Sequence, residues 1–246
     1  MSTDPPEQPA LSDRLAAVTE STGDVPAAIP AATVLLIRDG VEGVETLMLR
    51  RDSKLAFAGG MWVFPGGRVD VEDYPPDRPG DVEAAVLTAA VREAHEESGL
   101  EVERDSLVAF SHWTPPAVAI KRYATWFFLA PAPSGAVVID DGEIRDHFWA
   151  RPADVIRRRD EGELELAPPT WVSLDVLRRS PDVASALAAA EAADVEYFVT
   201  QIARVEGGGA ALWHGDAGYE TADPDLPGPR HRLLMLEHGW HYERTV

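Results

Sequence analysis

The stretch that decides the fold is AAVREAHEESGL, residues 89–100. Its alanine-rich spacing reads as the closing turns of a helix, and Gly99 is the residue type that ends one. Glu93, Glu96 and Glu97 stand at i, i+3 and i+4, so they share one helix face. At 100° per residue, Ala84, Leu87, Val91 and Ala94 fall on one side, with the three glutamates centred roughly opposite.

Such a face has two readings. A solvated acidic surface is the simpler, and three costs count against it. Glu93 faces both Glu96 and Glu97, each like-charge pair costing about 0.2–0.5 kcal/mol. Glu96 and Glu97 sit in the last turn, where the helix dipole disfavours anions by about 0.3–1 kcal/mol each. Arg92, four residues before Glu96, supplies the intrahelical counter-charge. The sum is about 1–3 kcal/mol, and electrostatics alone leaves both readings open. The second reading is ligation of a hard divalent cation: carboxylate oxygens on adjacent turns suit Mg²⁺ or Mn²⁺, and a bound cation removes the repulsion.

Working outward, Asp81 is the expected N-cap of this helix, and VDVEDYPPDRPGD before it is loop by its Pro, Gly and Asp content. MWVFPGG reads as a short strand ending in a loop, preceded by ATVLLIRDG and ETLMLRR as strands joined at GVEG. Residues 1–29 look like a tail with one short helix around residues 11–18. Beyond the acidic helix, SLVAFSHW, YATWFFLAPAP and GAVVIDDGE are strand candidates. ARPADVIRRRDEG, TWVSLDVLRRS and PDVASALAAAEAA follow as helices. EYFVTQIARV, an EGGGA turn, ALWHG and HRLLMLEHGW close the chain as strands. The order suggests an α+β or α/β layered domain with a C-terminal β-rich extension.

Bulk properties narrow the function. The formal net charge of −20 argues against nucleic-acid wrapping and against an anionic membrane surface. An anionic substrate would therefore need a metal ion or an arginine cluster. With no cysteine, disulfides, thiol nucleophiles and Cys-based zinc sites are excluded. No apolar run approaches the roughly 20 residues that span a bilayer. The acidic, proline-rich start MSTDPPEQPA lacks a basic or long apolar segment, so a cytoplasmic location is expected.

Two motifs together bring a family into view. REAHEESGL, residues 92–100, resembles the second half of the Nudix box, G-x5-E-x7-R-E-U-x-E-E-x-G-U, and FPGG, residues 64–67, looks like its opening glycines. The resemblance covers about residues 31–177. It implies an α/β/α sandwich around a mixed sheet, and hydrolysis by water of a nucleoside diphosphate linked to another moiety, with Mg²⁺ or Mn²⁺. On this basis residues 30–165 form the Nudix hydrolase domain and residues 166–246 an extension packed on it.

The resemblance also assigns roles. Glu93 and Glu97 would be the main metal ligands, Glu96 a further one or acting through water, and the Gly67 carbonyl would complete the shell. Arg92 would hold the glutamates by salt bridge. Glu143, in the acidic loop IDDGE, is the candidate for the extra carboxylate that binds metal or serves as general base, with Asp140 and Asp141 as rivals. Arg51 and Arg122 are candidate phosphate partners. The substrate is a small organic diphosphate, and a homodimer is compatible with the family.

There are departures. Counting back from Arg92, Ala84 stands where the box has its first Glu, and Gly67 lies about eleven residues further from Arg92 than the box specifies. LMLRRDSKLAFAGGMWVFPGG, HWTPPAVAIKRYATWFFLA and LAPPTWVSLDVL resemble the branch of peroxisomal-type coenzyme A diphosphatases. That branch's signature, L-L-T-x-R-[SA]-x3-R-x3-G-x3-F-P-G-G, is met by Arg51, Gly60 and residues 64–67. Asp52 replaces its Ser/Ala, and Ala56 its second Arg. The alternative to an enzyme is a Nudix-like nucleotide-binding or sensor module without turnover.

Overall fold

The structure, a computed structural model, describes residues 27–55, 58–119, 121–139 and 142–245. The helix expected around residues 11–18 lies outside them. The described chain divides into two compact units. The larger holds Ala28–Thr114 and Tyr123–Phe198; the smaller holds Pro115–Arg122 and the chain from Val199 on. Two of the helices and one strand expected in the C-terminal extension thus belong to the larger unit.

The larger unit is built on an eight-stranded mixed sheet. Its strands are β1 (Ile29–Gly40), β2 (Gly43–Arg51), β3 (Trp62–Val63), β4 (Gly66–Arg68), β5 (Val108–Thr114), β6 (Tyr123–Pro131), β7 (Ile144–Ala150) and β8 (Glu196–Val199). The order is β3-β2-β1-β6-β5-β8, with β4 beside β1 and β7 beside β2. β1 and β2 form the expected hairpin, closing at the pair Gly40↔Gly43. β1 runs parallel to β6 over nine paired positions. Such a central strand is covered on both faces, so β1 is buried at successive residues from Val34 to Ile37 instead of alternating.

Four helices cover the sheet: α1 (Val82–Ser98), α2 (Pro152–Asp160), α3 (Pro168–Leu177) and α4 (Val183–Ala192). α1 packs on β1 and β4, α4 on β5 and β6, and α2 against β2 and α3. Of the two layerings that the order of elements left open, this is the α/β one that the family resemblance implied. Prolines open α2 and α3 at their first turn, where a missing N–H costs nothing. Among the described residues no helix is long and apolar enough to cross a membrane.

α1 is capped as expected. The Asp81 side chain accepts from the Ala84 N–H, and Gly99 takes φ 69° while its N–H donates to the His95 carbonyl. Its buried stripe differs from the expectation. Ala85, Val86, Ala89, Ala90 and Ala94 face the sheet, whereas Ala84, Leu87 and Val91 are only partly buried. Glu93 and Glu97 therefore point inward beside this stripe instead of away from it. A stripe of alanines lets the helix approach the sheet closely, which carries the glutamates onto the bare backbone of β4.

Three local expectations are corrected. FPGG runs into strand: Gly66 and Gly67 pair with Thr33 and Ala32 of β1. The described part of GAVVIDDGE before residue 140 is not strand. Val138 donates instead to the Ser98 carbonyl, and Val137 and Ile139 pack on the core without a ladder. In EGGGA only residues 206–207 turn, since Gly208 and Gly209 begin a strand.

The smaller unit carries an antiparallel meander of β9 (Gln201–Val205), β10 (Gly208–Leu212), β11 (His231–Leu236) and β12 (Gly239–Arg244). A buried ion pair staples it: Arg232 donates to both oxygens of Asp216, at 2.7 and 2.6 Å.

Candidate active site

The site forms where α1 crosses the start of β4, and the absence of a side chain on Gly67 makes it. A Cβ built there would stand 2.3 Å from Glu93 Oε1, closer than real Cβ contacts come. Glu93 thus rests directly on the β4 backbone. Glu97, one turn on, sends Oε2 to the Gly66 N–H at 2.9 Å, and it is 5% exposed. Two adjacent glycines and two inward glutamates make a pocket of hard oxygen donors lined by main chain.

Arg92 organises one side of this pocket. Its Nη1 donates to Glu93 Oε1 at 2.8 Å and to Glu96 Oε2 at 3.0 Å, and its Nη2 to the Arg68 carbonyl at 3.1 Å. Its Nε and Nη2 also fork onto Asp73, at 3.0 and 2.8 Å. Asp73 is a residue that counting back from Arg92 misses. Burial works to raise its carboxyl, but the Arg92 bonds and the Asp70 N–H hold it below the usual carboxylate range. Counted forward from Gly67, five residues intervene before Asp73, which is the spacing of the box's first acidic position. The insertion therefore lies after Asp73, and Ala84 is not the substituted position. That forward count was the signal available in the sequence.

Arg51 closes the other side. It ends β2 at a register shift between Arg50 and Arg51, where β2 meets β7. Its Nη1 donates to Glu97 Oε1 at 3.3 Å and its Nη2 to Glu143 Oε2 at 2.7 Å. The Asp52 N–H holds the Glu143 carbonyl at 2.7 Å, fixing the acidic loop at that point. The structure thus brings Arg51, Gly67, Arg92, Glu93, Glu96, Glu97 and Glu143 into one cluster. Arg122 lies in the smaller unit, where it donates to the Pro115 carbonyl. Asp140, Asp141 and Ala56 lie outside the described residues.

The carboxylates are unsettled without a cation. Burial pushes Glu97 up to about 8, against the Gly66 N–H and Arg51, which favour its charge; Glu93 and Glu143 add to the rise. Burial also raises Glu93, with Arg92 opposing and Glu96 and Glu143 contributing. Among the described residues no three acidic or imidazole side chains already converge on one point; the guanidinium groups of Arg51 and Arg92 stand among the carboxylates. The donor set is nonetheless that of a hard divalent cation: carboxylate oxygens, a main-chain cradle that any Cβ would fill, and negative charge in excess of its partners.

Comparison with known proteins agrees with this geometry. The NUDIX domain family matches residues 28–171, more than half of the chain. A carboxylate-rich helix seated on a glycine strand at a mixed sheet defines the class, and the chain belongs to the Nudix family. A Nudix hydrolase from Alicyclobacillus acidocaldarius is 23% identical, with a TM-score of 0.57 over 66% of this chain and 96% of that one. A MutT Nudix hydrolase from Burkholderia pseudomallei is 22% identical, with a TM-score of 0.46 over 61% of this chain and 98% of that one. At 23% identity the likeness to the Alicyclobacillus acidocaldarius protein concerns the fold alone. No curated protein matches the chain.

Proposed function

We propose that the protein hydrolyses the pyrophosphate bond of a nucleoside diphosphate linked to another moiety, with Mg²⁺ or Mn²⁺ and water. The observation that carries this reading is Glu93 seated on Gly67 with Glu97 beside it, carboxylate oxygens gathered where a divalent cation would offset their mutual repulsion. Glu93, Glu97 and the Gly67 carbonyl would hold the cation, with Glu96 at the exposed margin. Such a cation polarises phosphoryl oxygens and lowers the pKa of bound water.

The remaining steps belong to side chains. Arg92 keeps Glu93 and Glu96 oriented through its fixed fork on Asp73. Glu143, whose side chain is 57% exposed and within reach of solvent, would accept the proton of the attacking water. Arg51 is the guanidinium available to diphosphate oxygens.

A sensor module without turnover is the second reading. Ala84 in place of the box's first Glu favours this reading slightly, and Asp73, at the box's own spacing from Gly67, counts against it. Among substrates, coenzyme A and its acyl derivatives remain one candidate. Where the coenzyme A signature has Ser or Ala, Asp52 is buried and accepts from Arg145 Nε at 2.7 Å. This ion pair gives that segment a different use.

The test is a mass-spectrometric panel of coenzyme A, NADH, ADP-ribose, dinucleoside polyphosphates and nucleotides, each with Mg²⁺, Mn²⁺ or chelator. Cation-dependent cleavage at a diphosphate supports hydrolysis. Cation-dependent binding of a panel member without cleavage establishes the sensor instead.

A further inference from the structure

Arg92 and Arg51 both pair with carboxylates of the site, but they are built differently. Arg92 grips Asp73 with two nitrogens, adds a main-chain carbonyl, and so is a fixture. Arg51 touches each carboxylate with a single nitrogen, Glu97 at 3.3 Å and Glu143 at 2.7 Å. Its Nε is buried with no hydrogen-bond partner among the described residues. A guanidinium with a long contact and an unused donor is not at its best arrangement. Its backbone is nonetheless pinned, since Arg51 N–H donates to the Met61 carbonyl and Gly60 N–H to the Arg51 carbonyl, both at 3.1 Å. The β-irregularity at Arg50/Arg51 aims the side chain into the site, the use such irregularities have beside functional centres. A fixed root with a loosely held head is the construction of a group that changes partners.

The two carboxylates it spans differ as well. Glu97 is almost wholly buried, while the Glu143 side chain is more than half exposed. Without Arg51, Glu97 and Glu143 lose the guanidinium that bridges them. With Arg51 still between them, an arriving divalent cation meets a positive charge at close range. Both conditions are met if the guanidinium leaves as the cation arrives, and an anionic diphosphate beside the cation gives it somewhere to go.

We propose that Arg51 is the site's exchangeable cation: it bridges Glu97 and Glu143 in the metal-free protein and turns to the diphosphate oxygens of the substrate when a divalent cation takes Glu97. This rests on the proposed hydrolase site. Arg51 is a positioning residue in the first state and a substrate contact in the second. Cation and diphosphate binding are thereby coupled, and by linkage each strengthens the other through Arg51.

The test titrates Mn²⁺ into the full-length protein by electron paramagnetic resonance, for wild type, Arg51→Ala and Arg51→Lys. It adds affinity for the non-cleavable α,β-methylene-ADP with and without Mn²⁺. In Arg51→Ala, Mn²⁺ binds about tenfold tighter, while the Mn²⁺-induced gain in α,β-methylene-ADP affinity falls about tenfold, within the usual range of coupling between sites. Arg51→Lys retains a positive charge and stays near wild type in Mn²⁺ affinity. A merely structural arginine predicts the opposite sign, weaker Mn²⁺ binding on its removal. If Arg51→Ala does not fold by circular dichroism, Arg51→Gln is read by the same criteria. Unchanged or weaker Mn²⁺ binding in a folded neutral variant overturns the exchange. A wild-type protein that binds no Mn²⁺ overturns the hydrolase site itself, and the two failures are thus distinguishable.

Discussion

Glu93 Oε1 lies where the Cβ of any residue but glycine at position 67 would have to be, 2.3 Å from that point. The carboxylate and the strand backbone are in direct contact, so moving one moves the other. Gly67→Ala forces Glu93 off β4 by roughly an ångström. A displacement of that size in a reacting constellation costs about 100-fold in rate. Activity in Gly67→Ala falls by that order, with Mn²⁺ affinity reduced in parallel, as read by steady-state kinetics and Mn²⁺ titration.

Arg92 and Asp73 form a bidentate pair in the site, and Asp73 is 3% exposed. Asp73→Asn leaves Arg92 without its anchor and breaks a largely buried pair. The loss of stability is about 2–3 kcal/mol, below the fully buried range because about a quarter of Arg92 is exposed. Chemical denaturation measures it. Activity falls by about 10–100-fold, as when an outer partner of a metal ligand is removed. A stability loss with full activity would show that Arg92 does not orient the glutamates.

Glu97 makes the metal-free protein sensitive to alkali. Its carboxyl ionises near 4.5 in the unfolded chain and near 8 in the folded one. Between those values the folded state holds a proton that the unfolded state has released. This group's contribution is therefore fully present below pH 4.5 and lost as pH rises through 8. Glu97→Gln removes that dependence: in chelator the variant gains thermal stability relative to wild type as pH is raised from 6 to 9. In wild type, Mn²⁺ affinity rises over the same interval, because the cation needs the ionised carboxylate.

Glu143 separates catalysis from architecture. Its side chain is mostly exposed, so Glu143→Gln changes stability by no more than about 0.5 kcal/mol. As the base it contributes about 10²–10⁴-fold to turnover, and kcat falls accordingly while α,β-methylene-ADP still binds. Undiminished kcat in Glu143→Gln would transfer the role to Asp140 or Asp141.

Much of this was legible in the sequence because it is local. The cap at Asp81, the end at Gly99 and the i, i+3, i+4 glutamates follow from helix chemistry, and the β1–β2 hairpin from its turn residues. What was misread depends on partners distant in sequence. The buried stripe of α1 is rotated because β4 offers glycines to the helix, and two glutamates fit beside the stripe where the spacing set them opposite it. Asp73 was passed over as loop because its partner, Arg92, lies nineteen residues away. Residues 137–139 have strand composition but close the end of α1, since Val138 finds its acceptor on Ser98. The fork of Arg51 between Glu97 and Glu143 joins three separate elements, and no spacing in the sequence announces it.

The central claim is that Glu93 and Glu97, seated on the glycines of β4, hold a divalent cation. Mn²⁺ titration followed by electron paramagnetic resonance, in wild type, Glu93→Gln and Glu97→Gln at pH 8.5 or about that value, tests it most directly. The account predicts a saturable site in wild type that is lost or strongly weakened in both variants, each remaining folded. Equal Mn²⁺ binding in all three proteins would contradict it.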